Sequence, residues 1–168
     1  SPPSRSGFCP ASGRPNSDVL RIYLNGMDVT RRPRYLFLVD FPHGISHEEA
    51  SRYERPFEYL KSTVQPFRAA RERDWFRNCW WELYAPRPEM RLALRPLQRY
   101  LVTPRVSKHR LFMWLDTVVL PDCQLFAFAD SDDHFFGILH SRPHETWARA
   151  QGTQVRERES GFRYTPTT

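Results

Sequence analysis

Eight residues, Thr103-Pro-Arg-Val-Ser-Lys-His-Arg110, gather two hydroxyls, two guanidinium groups, an ammonium and an imidazole on one short stretch. Donors of these kinds suit phosphate oxygens, and an arginine fork matches the O6 and N7 edge of guanine. The stretch lies inside Met90 to Leu115, where Arg91, Arg95, Arg99, Arg105, Lys108 and Arg110 stand without one acidic residue, so its local charge equals the +6 of the whole chain. A solvated basic loop between two strands is the competing reading, because exposed cations are common and individually weak. Thr30-Arg31-Arg32-Pro33-Arg34 forms a second basic cluster. Arg68 to Arg77 forms a third, interleaved with Trp75 and Phe76 and followed by Trp80 and Trp81. Base stacking is one use for such aromatics, and a place in or beside the core is the commoner one.

Catalytic constellations are weaker. His140 and His144 are four apart, a spacing that aligns two metal ligands on a helix, but Pro143 interrupts that helix and the order is not His-Glu-x-x-His. Asp130, Asp132 and Asp133 resemble a carboxylate cluster for Mg²⁺, yet a turn followed by a helix N-cap is their ordinary use. No Gly-x-Ser-x-Gly elbow and no glycine-rich phosphate loop is present. Asp116 and Asp122 flank Val118-Val119-Leu120 and read as strand ends. The expectation is a chain with no catalytic residue, no metal site and no cofactor pocket of its own.

Several elements must position these groups. Tyr35 to Asp40 is an apolar run of strand length and is expected to be buried, and Asn25-Gly26 before it signals a turn. Ser46 with Glu49 makes an N-terminal cap, and Ala50, Tyr53, Phe57, Leu60 and Val64 recur at helical spacing, which predicts a helix over about 47–64 with Pro56 as a possible kink. A short helix is expected from Pro88 to about Arg95, ended by Pro96. Tyr100 to Val106, Leu111 to Asp116 and Gln124 to Ala129 read as strands, and a last helix should start near Asp132 or Asp133 and break at Pro143. Ser1 to Ser17, with four prolines, and Gln151 to Thr168 read as irregular, the first like the edge of something longer.

A length of 168 residues points to a single core. A hydrophobic fraction of 40% with 14% aromatics can fill it, which argues against disorder of the whole chain. The excess of 25 Lys and Arg over 19 Asp and Glu favours an anionic partner such as nucleic acid. Cys9, Cys79 and Cys123 are odd in number and far apart, which fits a reducing cytoplasm better than a disulfide framework. No apolar run of membrane-spanning length or signal-peptide pattern occurs, so no membrane partner is expected.

Several separated blocks resemble one family. Asp28-Val-Thr-Arg-Arg-Pro-Arg34, Val39-Asp-Phe41, Glu54-Arg-Pro-Phe-Glu-Tyr59, Tyr100 to Phe112, Leu120-Pro-Asp122, Phe135-Phe-Gly-Ile-Leu-His-Ser-Arg142 and Arg163-Tyr-Thr-Pro-Thr167 are similar, in this order, to the target recognition domain of MmeI-like adenine-specific DNA methyltransferases of bacterial restriction-modification systems. Phe136 to Arg142 also resembles a helix of other specificity domains, in which Asn often stands in place of His140. The resemblance implies a specificity-domain-like α+β fold, a small mixed β-sheet with peripheral helices. It implies a leading segment 1–17, a DNA target recognition domain over 18–155, and an exit segment 156–168 toward a methyltransferase domain of the same parent chain. That parent would bind S-adenosylmethionine, whereas the family's Asn-Pro-Pro-Tyr catalytic motif is missing here. Double-stranded DNA is the expected partner, approached by Arg105, Ser107, Lys108, His109 and Arg110, with Arg31, Arg32 and Arg34 as phosphate contacts and Arg142 as a further candidate. Base readers could also lie in Asp130 to His134 or Arg142 to Arg149. The rival is a protein-interaction module whose aromatics around Trp75 to Trp81 dock the methyltransferase domain.

Overall fold

A computed structural model describes residues 14–154 and 161–164. After a 3-10 turn at Asn16–Val19 come β1 (Leu20–Leu24), α1 (Gly26–Thr30), β2 (Leu36–Val39), α2 (His47–Ser51), α3 (Glu54–Thr63), α4 (Gln65–Ala69), α5 (Asp74–Asn78) and α6 (Pro88–Leu94). Then follow β3 (Arg99–Pro104), β4 (Val106–Ser107), β5 (Met113–Asp116), β6 (Val119–Pro121), β7 (Leu125–Phe128), α7 (Asp133–Leu139), α8 (Arg142–Gln151), β8 (Thr153–Gln154) and β9 (Phe162–Arg163). The fold is α+β, as expected. No described helix is long and apolar enough to cross a membrane. Of the leading segment, 1–13 lies outside the described residues, as do 155–160 and 165–168.

Instead of one core the described residues form two compact units, one of those through Arg21 and again Phe37–Arg87, the other of Ile22–Leu36 and those from Pro88 onward. Composition reports how much apolar surface there is and not how many clusters it forms. In the first unit Val19, Phe41, Ile45, Ala50, Tyr53, Phe57 and Trp80 pack together. Ser46 caps α2 as expected, its hydroxyl accepting the Glu49 N–H at 3.1 Å. The expected continuous helix is interrupted, because the chain leaves α2 at Arg52 and re-enters at α3 with Tyr53 as N-cap. Pro56 thus sits in the first turn of α3, where its missing N–H has no intrahelical partner to lose. Ala50, Tyr53 and Phe57 face the core across this break.

The aromatic segment belongs to the same core. Trp80 is buried, and Trp81 donates its indole N–H to the Ile45 carbonyl at 3.1 Å. The Arg68 guanidinium donates to the carbonyls of Cys79, Trp80 and Glu82 and lies over the rings of Trp75 and Phe76. Arg68 therefore supports an irregular chain turn whose carbonyls have no ladder partner. β2 departs from the expected buried strand, with Leu36 and Phe37 exposed.

In the second unit β3 is the middle strand of an antiparallel sheet of order β5-β3-β7, with Leu101 opposite Trp114 on one side and Phe128 on the other. Successive residues of a strand point to opposite faces, and both faces of β3 are covered. Tyr100 and Val102 pack with Leu94 and Leu115, whereas Leu101 packs with Phe112, Leu139, Ala148 and Tyr164. That double burial is why Tyr100 to Pro104 reads as a nearly continuous apolar run. β1 runs parallel to β6, with Ile22 opposite Val119 and Leu24 opposite Pro121. In the small sheet β4-β9-β8, β8 and β9 occupy chain expected to be irregular. Strands of two residues are too short to leave an alternating pattern in sequence.

Candidate nucleic-acid interface

Arg105 follows the buried β3 directly, so its backbone position is set by the sheet. Its N–H donates to the Gln124 carbonyl at 2.8 Å and its carbonyl accepts from the Tyr164 N–H at 2.8 Å. The guanidinium donates to the Cys123 carbonyl at 3.2 Å and lies 5.3 Å over the Phe126 ring. Ser107 is buried in β4, opposite Phe162, and its hydroxyl donates to the carbonyl of His109, which closes a tight turn. Lys108 and His109 form the exposed tip of that turn.

Arg110 departs from the expectation of a donor presented to DNA. Its guanidinium donates to Thr103 Oγ1 at 3.2 Å, the Pro104 carbonyl at 2.5 Å and the Phe162 carbonyl at 3.0 Å, and lies 4.8 Å over the Tyr164 ring. Burial favours its neutral form and lowers its pKa. It is a strut tying β3, the 105–110 turn and β9 together. Gly161, at φ +93°, completes the clasp: a Cβ there would stand 2.5–2.7 Å from the Ser107 and Lys108 main chain. Sequence reading missed this glycine because it lies in chain that looked irregular.

The Asn25-Gly26 signal proves to be a helix start and not a hairpin turn. The Asn25 side chain accepts from the Met27 and Asp28 N–H groups, while Asp28 accepts from the Asn25 N–H, a reciprocal cap on α1. Asp28 also receives the Arg34 fork, Nε at 2.9 Å and Nη2 at 3.0 Å, together with the Arg34 main-chain N–H at 3.1 Å. These bonds from Arg34, the largest influence, hold the buried carboxyl at about 2, below its ordinary range. Arg34 thereby folds the segment back on α1, and Arg31 and Arg32 stand exposed between the two anchors.

The loop Asp122–Gln124 touches elements next to both clusters. Asp122 donates its N–H to the Leu24 carbonyl at 2.8 Å, and its carboxylate lies near the Tyr23 hydroxyl. Burial and that carboxylate push the Tyr23 hydroxyl pKa up, against the opposing charge of Arg34. On the other side the loop receives Arg105. The loop thus lies against Leu24 and Gly26, which precede the Arg31–Arg34 segment, and against Arg105, which opens the 105–109 turn.

The remaining candidates have local roles. Arg142 is exposed at the first position of α8, behind the Ser141 cap, and Pro143 follows in the first turn, so that the helices break just before it, as expected. A crevice of about 10 Å³, enough for one water, is lined by Ser107, Lys108, Arg110, Glu145, Arg149 and Phe162. Glu145 pairs with Arg149 there at 2.7 Å. Asp132 caps α7 through the His134 N–H, and Asp133 pairs with Arg99, which lies 4.0 Å over Trp114. His140 and His144 fall on either side of the helix break. His140 Nε2 is 3.1 Å from the Phe112 carbonyl, and His144 bridges the Leu139 carbonyl and the Tyr164 hydroxyl. Both rings serve the fold. Trp75, Phe76 and Trp81 are half-buried, Trp80 is buried and Tyr84 is exposed.

No family model matches the sequence, and no curated protein does. Among solved structures the chain is similar to the type IIL restriction-modification enzyme MmeI, determined in complex with DNA, with a TM-score of 0.62 at 18% identity. The match covers 89% of this chain and 19% of that one, so the chain spans about a fifth of the protein it resembles. At that identity the likeness is one of fold.

Proposed function

We propose that this chain recognises double-stranded DNA as the target recognition module, over residues 18–155, of a larger adenine-specific DNA methyltransferase of a restriction-modification system. No catalytic step is assigned to its residues. A methyltransferase domain elsewhere in the parent chain would bind S-adenosylmethionine and extrude the adenine, which leaves grip and site selection to a separate basic module. The observation that carries the reading is that the Asp122–Gln124 loop of the second unit packs against Leu24 and Gly26, next to the segment that Arg34 anchors, and against Arg105, while Arg31, Arg32, Lys108 and His109 are exposed. The fold shared with an enzyme determined on DNA supports it, as does the acid-free run from Met90 to Leu115.

The roles divide by how each side chain is engaged. Lys108, His109, Arg31 and Arg32 are exposed donors suited to phosphate, Arg34 and Arg105 are held by Asp28 and the Cys123 carbonyl and orient their segments, and Arg142 is a further exposed cation at the start of α8. Ser107 and Arg110 act through the turn that they close. The test is binding of the chain to random-sequence duplex across a salt series, with Lys108→Ala/His109→Ala alongside. Binding should weaken steeply with salt, and the variant should lower the slope of log K against log salt by about 1, one phosphate contact. Equal slopes would remove the turn from the interface, and salt-insensitive binding would return the chain to the protein-interaction class.

A further inference from the structure

Asp122 closes one block of the resemblance and nothing else in the sequence singles out Asp122-Cys123-Gln124, yet its main chain is held on several sides. The Asp122 N–H donates to Leu24, the Leu125 N–H donates to the Asp122 carbonyl at 3.0 Å, and the Arg105 N–H donates to the Gln124 carbonyl. The Cys123 carbonyl accepts from the Arg105 guanidinium, and Gly26 approaches so closely that a Cβ there would lie 3.6 Å from the Gln124 carbonyl oxygen. The side chains of Cys123 and Gln124 are nonetheless exposed. Asp122, by contrast, is engaged by Tyr23 and by the Cys123 N–H.

A pinned main chain next to Arg105 carries an exposed amide, and base reading calls for donor and acceptor groups carried on a held element. The glutamine amide offers both groups and matches N6 and N7 of adenine in the major groove. Lys108 and His109, on the neighbouring turn, offer flexible or point-like donors better suited to phosphate. Resting on the DNA-binding reading above, we propose that the 122–124 loop is a base-reading element, with Gln124 contacting an adenine edge and Arg105 acting as the positioning residue that holds the loop.

The test is selection from a randomised duplex library by the 168-residue chain and by Gln124→Ala, with alkylation of Cys123 by N-ethylmaleimide as a second readout. The wild type should enrich a motif, and the variant should keep its affinity for random duplex and its salt slope while losing about tenfold or more of the preference at one adenine position. DNA should also slow alkylation of Cys123 by about tenfold or more relative to Cys79, which lies in the other unit. An unchanged motif, binding with no motif, or unprotected Cys123 would each overturn this assignment and leave DNA binding standing. Failure of the wild type to bind duplex at low salt would overturn the DNA-binding reading itself, and this one with it.

Discussion

Replacing Arg110 by alanine should unfold the clasp over the basic turn and not merely remove one charge. The guanidinium is the partner of the Pro104 and Phe162 carbonyls, and it stacks on Tyr164. Leaving two carbonyls short of a donor costs about 1–3 kcal/mol each when they are buried. A lost cation–π contact costs about 0.5–2 kcal/mol. Because the side chain is only half-buried, water recovers part of this, and a net loss of about 3 kcal/mol is expected, a large share of a typical domain's 5–15 kcal/mol. Arg110→Lys should fall between, since an ammonium reaches one carbonyl and lacks the planar fork. Urea unfolding of wild type and both variants measures this, with Lys108→Ala as a surface control within about 0.5 kcal/mol of wild type. A loss below about 0.5 kcal/mol for Arg110→Ala would refute the strut and return Arg110 to the surface set. The consequence for binding studies is direct: a variant lacking Arg110 confounds folding with DNA contact.

Asp28 titrates lower in the folded chain than in the unfolded one, so its contribution to stability is present above about pH 4 and lost as pH falls toward about 2. In acid titrations Asp28→Asn should be destabilised at neutral pH and should lose the part of the wild type's acid sensitivity that falls in that window; parallel curves would contradict the Arg34 anchor. Gly161→Ala should cost more than about 1 kcal/mol and speed amide exchange over 105–109, because positive φ and contact with the Ser107–Lys108 main chain are both incompatible with a Cβ; unchanged exchange would contradict the clasp. Trp81→Phe should cost about 1 kcal/mol through the lost bond to Ile45 and leave duplex affinity unchanged; weakened DNA binding would bring the aromatic segment back into the interface.

What the sequence made legible was whatever carries a local pattern. The Ser46 and Asp132 caps, the helix break at Pro143 and the strand at Tyr100 all follow from residue types and short spacings, and the structure has them. Misreadings arose where tertiary partners decide. Asn25-Gly26 suits a turn or a cap, and only Asp28, buried beneath Arg34, makes it a cap. Arg105, Lys108 and Arg110 look alike in sequence, yet carbonyls of β3 and β9 claim Arg110 and leave Lys108 to solvent. The helical period through Ala50, Tyr53 and Phe57 survives a break because both short helices face the same core. Of the 122–124 loop only Asp122 stands out in the sequence, because what holds the loop is long-range bonds to Leu24 and Arg105.

The central claim is that one end of the second unit meets duplex DNA, and amide hydrogen exchange of the chain with and without duplex tests it most directly. Protection concentrated in 31–34, 105–109 and 122–124, with Trp75 to Tyr84 unchanged, is the predicted result. Protection in Trp75 to Tyr84 with 105–109 and 122–124 unchanged would contradict it.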